Sequence, residues 1–179
     1  MKLVILDRDG VINVDSDQYI KAPSEWRPLP GSIEAIARLY QSGFRVAVAT
    51  NQSGIGRGLF DMATLNAIND KMMELVFRQG GRIDALFFCP HTAAENCNCR
   101  KPRTGMLEEI AARFHTELKG VPAIGDSLRD LQAAESVGAQ PILVLTGKGK
   151  DTQEQGGMPR KTLVFDDLAE ASRHLIANA

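Results

Sequence analysis

The chain has 179 residues, with 21 Lys+Arg against 22 Asp+Glu and a formal net charge of -1. A hydrophobic fraction of 44% and a charged fraction of 24% are ordinary globular values and exclude disordered, fibrous and coiled-coil classes. No apolar run approaches ~18 residues, and near-zero charge gives no basis for non-specific binding to nucleic acid or an anionic membrane. The length predicts one domain over residues 1–179, and Asp7 comes too early for a secretory leader, so a cytoplasmic protein is expected.

In chain order, Lys2–Leu6 reads as a strand that stops at Asp7. The stretch Asn13–Pro30 is a loop. Ser32–Gln41 places Ile33, Ile36, Ala37 and Tyr40 at helical spacing, and Gly43 follows as its stop. Phe44–Ala49 is a second strand. Asp61 is a helix cap for Met62–Gln79, which ends before Gly80-Gly81. Ala85–Phe88 is a third strand, and Cys89–Arg103 has neither period. Thr104 is positioned to cap a helix over Gly105–Glu117. Val121–Ile124 is a strand, Leu128–Val137 a helix, and Pro141–Leu145 a strand. Gly147–Arg160 reads as a mobile surface loop, Leu163–Phe165 as a last strand and Asp167–Ala177 as a terminal helix. Strands alternating with helices predict an α/β, Rossmann-like, doubly wound and mainly parallel sheet. In such sheets ligands sit beyond the carboxyl ends of the strands.

Those ends carry Asp7-Arg8-Asp9-Gly10, then Thr50-Asn51-Gln52-Ser53-Gly54, then a Cys/His loop leading to Arg100-Lys101-Pro102, then Gly125-Asp126-Ser127 with Asp130 beyond. Each has a bland reading as a turn, a polar loop or a helix cap. Together they describe phosphoryl transfer through an aspartyl phosphate. Asp7 is placed to attack phosphorus. Asp9 leaves the strand on the same side, as acid toward the leaving oxygen and then base toward water. Mg²⁺ between Asp7, Asp126 and the Asp9 carbonyl would screen the dianion. Lys101 and Thr50 would stabilise the phosphoryl oxygens.

All three cysteines fall in Cys89-Pro90-His91…Cys97-Asn98-Cys99. C-x-H and C-x-C each put two ligands on one side of an extended segment, and the two pairs can close a tetrahedral Cys₃His zinc site. Four protein ligands imply a structural Zn²⁺, holding the loop that delivers Arg100 and Lys101. His115 and His174 lie on expected helices and read as surface or packing residues.

The motifs VILDRDGVI, VAVATNQSG, Lys101 and IGDSLRD resemble those of the haloacid dehalogenase (HAD) superfamily of phosphohydrolases, over nearly the whole chain. That resemblance implies Asp7 as nucleophile, Asp9 as acid/base, Thr50 and Lys101 as phosphate stabilisers, Asp126 as a Mg²⁺ ligand and Asp130 as a supporting acid. Val11 stands where the family frequently has Thr. The gaps between motifs are too short for the cap domain of larger members, so loops must select the substrate. CPH…C-x-C and C-R-K-P are similar to a capless branch that acts on heptose bisphosphates in surface-polysaccharide synthesis, and to its neighbour, the histidinol-phosphate phosphatases. The heptose branch is the better match. It implies a sugar bisphosphate substrate, with Arg100 on the second phosphate and with Asn51, Gln52, Ser53 and the stretch Asp15–Tyr19 lining the pocket. Arg8 and Arg57 read equally as helpers or as solvated surface groups. T-N-Q-x-G also resembles nucleic-acid 3′-phosphatases, but the basic track that they need is missing. A non-catalytic zinc module would have lost Asp7 or Asp9. A monomer is expected.

Overall fold

The computed structural model describes Met1–Ala179. Six strands form one sheet: β1 (Lys2–Leu6), β2 (Phe44–Asn51), β3 (Ala85–Cys89), β4 (Pro122–Gly125), β5 (Gln140–Val144) and β6 (Leu163–Phe165). Their order is β3-β2-β1-β4-β5-β6, and every pairing is parallel. The central strands are apolar on both faces: Leu3, Val4, Ile5 and Leu6 are all buried. That is the pattern of a sheet covered on both sides.

Six helices cover it: α1 (Ser32–Gln41), α2 (Met62–Arg78), α3 (Gly105–Phe114), α4 (Leu128–Ser136), α5 (Gly149–Gln155) and α6 (Leu168–Ala177). On one face Ile36 and Leu39 of α1, Ile68 and Met72 of α2, and Leu168 of α6 meet Val4, Leu6, Val46 and Val48. On the other, Met106 and Ile110 of α3 with Ala133 and Ala134 of α4 meet Leu3, Ile5, Ala47 and Ala49. Strand order reverses between β1 and β4, and there the chain carries its site. The Asp7 N–H donates to the Ile124 carbonyl at 2.9 Å, tying the two strand ends together. No cap domain is present, and no helix is long and apolar enough to cross a membrane.

Several expected boundaries move by one to three residues. The helix over Gly105–Glu117 stops at Phe114, because His115 turns into the left-handed region at φ 50°. Asp61 caps α2 by accepting the Thr64 N–H at 2.8 Å. Thr104 stands before α3, but its hydroxyl donates to Glu108 instead of capping. The expected surface loop Gly147–Arg160 is corrected: Gly149–Gln155 is helical, and Gly149 and Thr152 are buried. Thr152 Oγ1 donates to the Asp126 carbonyl and Thr146 Oγ1 to the Gly10 carbonyl, so this segment is fastened to the strand ends. Polar composition suggested solvent, but these polar groups satisfy backbone carbonyls inside.

The Asn13–Pro30 loop folds back on itself around Trp26, which is fully buried. Lys71 of α2 donates to the Pro23 and Trp26 carbonyls and holds the loop from outside. Of the other histidines, His174 packs on Phe165 with ring centroids 4.9 Å apart.

Candidate active site

Asp7, just past β1, and Asp126, just past β4, point their carboxylates toward one another. Asp7, Asp126 and Asp130 offer oxygens that lie within 4.8 Å of one another. The close approach needs glycine: a Cβ on Gly10 or on Gly147 would overlap the Asp126 carboxylate, and both have positive φ. Burial, then Asp130, pushes the Asp7 carboxyl up to about 7, with Lys101 opposing. Burial, then Asp7 and Asp130, pushes Asp126 up to about 8. Asp126 has no cationic side chain against it; its Oδ2 accepts only the Lys148 backbone N–H at 2.9 Å. The Asp9 carbonyl accepts no hydrogen bond from the protein. Two strained carboxylates and a free carbonyl form an all-oxygen donor set of low charge, which fits Mg²⁺.

Asp130 is differently placed. Its Oδ2 accepts the backbone N–H groups of Asp126 and Ser127 and the Ser127 hydroxyl, and its Oδ1 takes Lys101 Nζ at 2.7 Å. Burial would raise it, but Lys101 and the Ser127 bonds win and hold it below the ordinary carboxylate range. Asp130 thus completes the capping box of α4 and also pairs with Lys101.

Lys101 is buried, with Nζ on the Ala49 carbonyl (2.7 Å), Asp7 Oδ1 (3.1 Å) and Asp130 Oδ1 (2.7 Å). Burial alone would lower its ammonium, but Asp130 and Asp7 outweigh it and keep it above the usual lysine value. Asn51 clamps the lysine's backbone: Oδ1 accepts the Lys101 N–H at 3.0 Å, and Nδ2 donates to the Lys101 carbonyl at 3.2 Å. Gln52 Nε2 donates to Asp9 Oδ2 (2.8 Å) and Thr50 Oγ1 (2.9 Å). Because Thr50 Oγ1 accepts there, its own O–H is free to donate to a phosphoryl oxygen. Asn51 and Gln52, expected to bind substrate, thus line the cleft while their amides hold Lys101, Asp9 and Thr50.

The cleft is about 210 Å³ and is lined almost wholly by polar and charged groups. Asp15, Tyr19, Ser53 and Arg100 line it as expected, while Gln18 of the Asp15–Tyr19 stretch does not. Arg57, left open by the sequence, lines it too, with its guanidinium 5.9 Å from the Tyr19 ring centre. Burial, then Arg129 and, more weakly, Arg57, lowers the Arg100 guanidinium below its ordinary value. Sequence reasoning missed Arg129 and Lys148. Arg129 lies within IGDSLRD, and Lys148 follows β5, a strand end without a recognisable motif. Lys148 Nζ is 3.7 Å from Asp15 Oδ2. Arg8, also left open by the sequence, is no solvated surface group: it is fully buried and bonded to Asp9.

The Cys/His loop brings its four ligands together. Cys89 Sγ is 3.6 Å from both Cys97 Sγ and His91 Nδ1, Cys99 Sγ is 2.8 Å from Cys89 Sγ, and His91 Nδ1 is 3.3 Å from Cys99 Sγ. With Zn–S near 2.3 Å, tetrahedral edges come to about 3.8 Å, so the cluster needs only a small expansion to hold Zn²⁺. Burial pushes the Cys89 thiol above its ordinary range, the penalty that a bound cation would cancel. The cluster leads straight into the cleft: Arg100 follows Cys99 and donates to the His91 carbonyl.

Known proteins are similar to this chain along its length. A HAD-hydrolase-like family model matches residues 98–171, and a polynucleotide kinase 3 phosphatase model matches residues 2–127. A D-glycero-β-D-manno-heptose-1,7-bisphosphate 7-phosphatase of Bordetella bronchiseptica is 56% identical over 179 residues, covering all of both chains. The chain belongs to the HAD superfamily and, within it, to the D,D-heptose 1,7-bisphosphate phosphatase family. Members of this phosphatase family include a Pseudomonas putida protein, 56% identical over 98% of this chain and 100% of its own. A crystal structure of the B. bronchiseptica phosphatase with magnesium and phosphate superposes with a TM-score of 0.99 over all of both chains. One from Burkholderia thailandensis, 52% identical, gives 0.79 over 99% of each.

Proposed function

We propose that this chain removes the 7-phosphate of D-glycero-β-D-manno-heptose 1,7-bisphosphate, as one catalytic domain spanning residues 1–179. The observation that carries the reading is end-to-end similarity, at 56% identity, to an enzyme of that activity. The catalytic residues are Asp7, Asp9, Thr50 and Lys101. A carboxylate oxygen of Asp7 attacks phosphorus as the bond to the sugar oxygen breaks, and Asp9 gives that oxygen its proton. Asp9 then takes a proton from water, which attacks the aspartyl phosphate and frees Asp7. Lys101 faces the nucleophile at 3.1 Å and offsets the charge that builds on the phosphoryl group. Magnesium held by Asp7, Asp126 and the Asp9 carbonyl supplies charge neutralisation between carboxylates and dianion. Zinc on Cys89, His91, Cys97 and Cys99 supplies rigidity to the loop that presents Arg100 and Lys101.

The second phosphate is assigned to the basic side chains of the same cleft. Arg57, Arg100, Arg129 and Lys148 line the same cleft, and a 1-phosphate satisfies positive charge that Lys101, already bonded three times, cannot read. Asp15, Tyr19, Asn51, Gln52 and Ser53 complete the sugar pocket. A small polar cleft and a net charge of -1 favour a small-molecule substrate over nucleic acid, and the chain is proposed to act as a cytoplasmic monomer. The test is to rank kcat/KM for heptose bisphosphate anomers and histidinol phosphate in Mg²⁺. Preference for the β bisphosphate is expected; preference for histidinol phosphate would overturn the substrate.

A further inference from the structure

We infer that Arg8, braced by Asn69, is a positioning residue that fixes the Asp9 carboxylate and leaves Oδ2 as the oxygen that handles the leaving-group proton. The inference rests on the proposed acid/base role of Asp9.

Arg8 stands between Asp7 and Asp9 and points the other way, into the core side of the sheet, where it is 0% exposed. A fully buried arginine is rare and expensive unless paired. Here Nε and Nη2 donate to Asp9 Oδ1 at 3.2 and 3.0 Å, and Nη2 also reaches Oδ2 at 3.3 Å. Behind it, Nη1 donates to Asn69 Oδ1 at 3.0 Å. Asn69 is itself buried, on the face of α2 that otherwise presents Leu65, Ile68, Met72 and Val76 to the core. The chain thus places two polar residues where apolar ones would suit the fold as well or better. Their only shared product is the orientation of one carboxylate.

The hydrogen bonds make that orientation one-sided. Asp9 Oδ1 accepts from Arg8 Nε, Arg8 Nη2 and Asn13 Nδ2 (2.8 Å), so it is saturated. Oδ2 accepts one short bond, from Gln52, and the long contact from Arg8. With two bonds against three, one of them long, Oδ2 is the less heavily bonded oxygen. A planar guanidinium grips a carboxylate through a fixed fork, which a lysine cannot reproduce.

Misaligned proton transfer harms only leaving groups that need a proton. The assay is single-turnover release of the leaving group with enzyme in excess, which isolates the first step, for heptose bisphosphate and for p-nitrophenyl phosphate. Asp9→Asn should slow the sugar phosphate by about 10²–10⁴-fold and the nitrophenyl ester far less. Arg8→Met should reproduce that split at about 10–10²-fold on the sugar phosphate, and Asn69→Ala at several-fold. If Asp9→Asn splits the substrates while Arg8→Met and Asn69→Ala slow both equally or neither, the positioning inference is overturned and the Asp9 reading stands. If Asp9→Asn shows no split, the Asp9 reading fails and takes the inference with it. An Arg8→Met protein that does not fold leaves the decision to Asn69→Ala.

Discussion

Replacing Asp9 by alanine strands Arg8. The guanidinium is fully buried, Asp9 is its carboxylate partner, and Asn69 alone cannot neutralise it. Removing one partner of a buried ion pair costs about 3–5 kcal/mol. Asp9 keeps 22% of its side chain exposed, so the pair is partly screened and about 2–4 kcal/mol is the working figure. For a chain of this size that is a fall in Tm of about 5–12 °C. Asp7→Asn should move the other way. Asp7 is pushed up to about 7 by burial and Asp130, so folding favours its protonated form. The metal-free protein therefore loses stability as pH rises from the ordinary carboxylate value through 7, and at pH 8 that loss is complete. Asparagine removes it, at the expense of one Lys101 contact, leaving a gain of about 1–3 kcal/mol. The assay is thermal unfolding at pH 8 in magnesium-free buffer with zinc retained. The double replacement Arg8→Met with Asp9→Ala should be more stable than Asp9→Ala alone. An Asp9→Ala protein within about 1 kcal/mol of wild type, or a less stable Asp7→Asn protein, would refute this electrostatic reasoning.

Three further outcomes follow from the same geometry. Magnesium should raise Tm more at pH 8 than at pH 6, because protons on Asp7 (about 7) and Asp126 (about 8) compete with the ion; a pH-independent shift contradicts the ligand assignment. Cys97→Ala should lower zinc content and Tm together and reduce kcat, since the loop carries Lys101; a full zinc complement in the variant, by metal analysis, would exclude Cys97 as a ligand. Arg100→Ala should raise KM for the bisphosphate at least tenfold more than KM for a monophosphate sugar, and equal losses would remove Arg100 from the second-phosphate site.

Much of this was legible from strand ends. Lys2–Leu6 and Ser32–Gln41 were bounded correctly because apolar periodicity and a following break coincide there. Asp7, Thr50, Lys101 and Asp126 converge because a parallel sheet brings all carboxyl ends to one edge. The Cys89, His91, Cys97 and Cys99 cluster, which could hold zinc, was readable from the period of two. What escaped depends on partners far away in sequence. Arg8 reads equally as a helper or a solvated cation until Asn69, 61 residues on, is placed behind it. The Gly147 segment looks mobile until Asp126 and Gly10 are found to accept its donors. Asn51 and Gln52 have amides that can serve either a ligand or the protein, and only tertiary geometry decides between them.

Regiochemistry tests the central claim most directly. Heptose 1,7-bisphosphate is treated with the zinc-loaded protein and Mg²⁺ and followed by ³¹P NMR. The account predicts loss of the 7-phosphate resonance, appearance of inorganic phosphate and a retained 1-phosphate, with no reaction for Asp7→Asn. Release of the 1-phosphate, or undiminished turnover by Asp7→Asn, would contradict it.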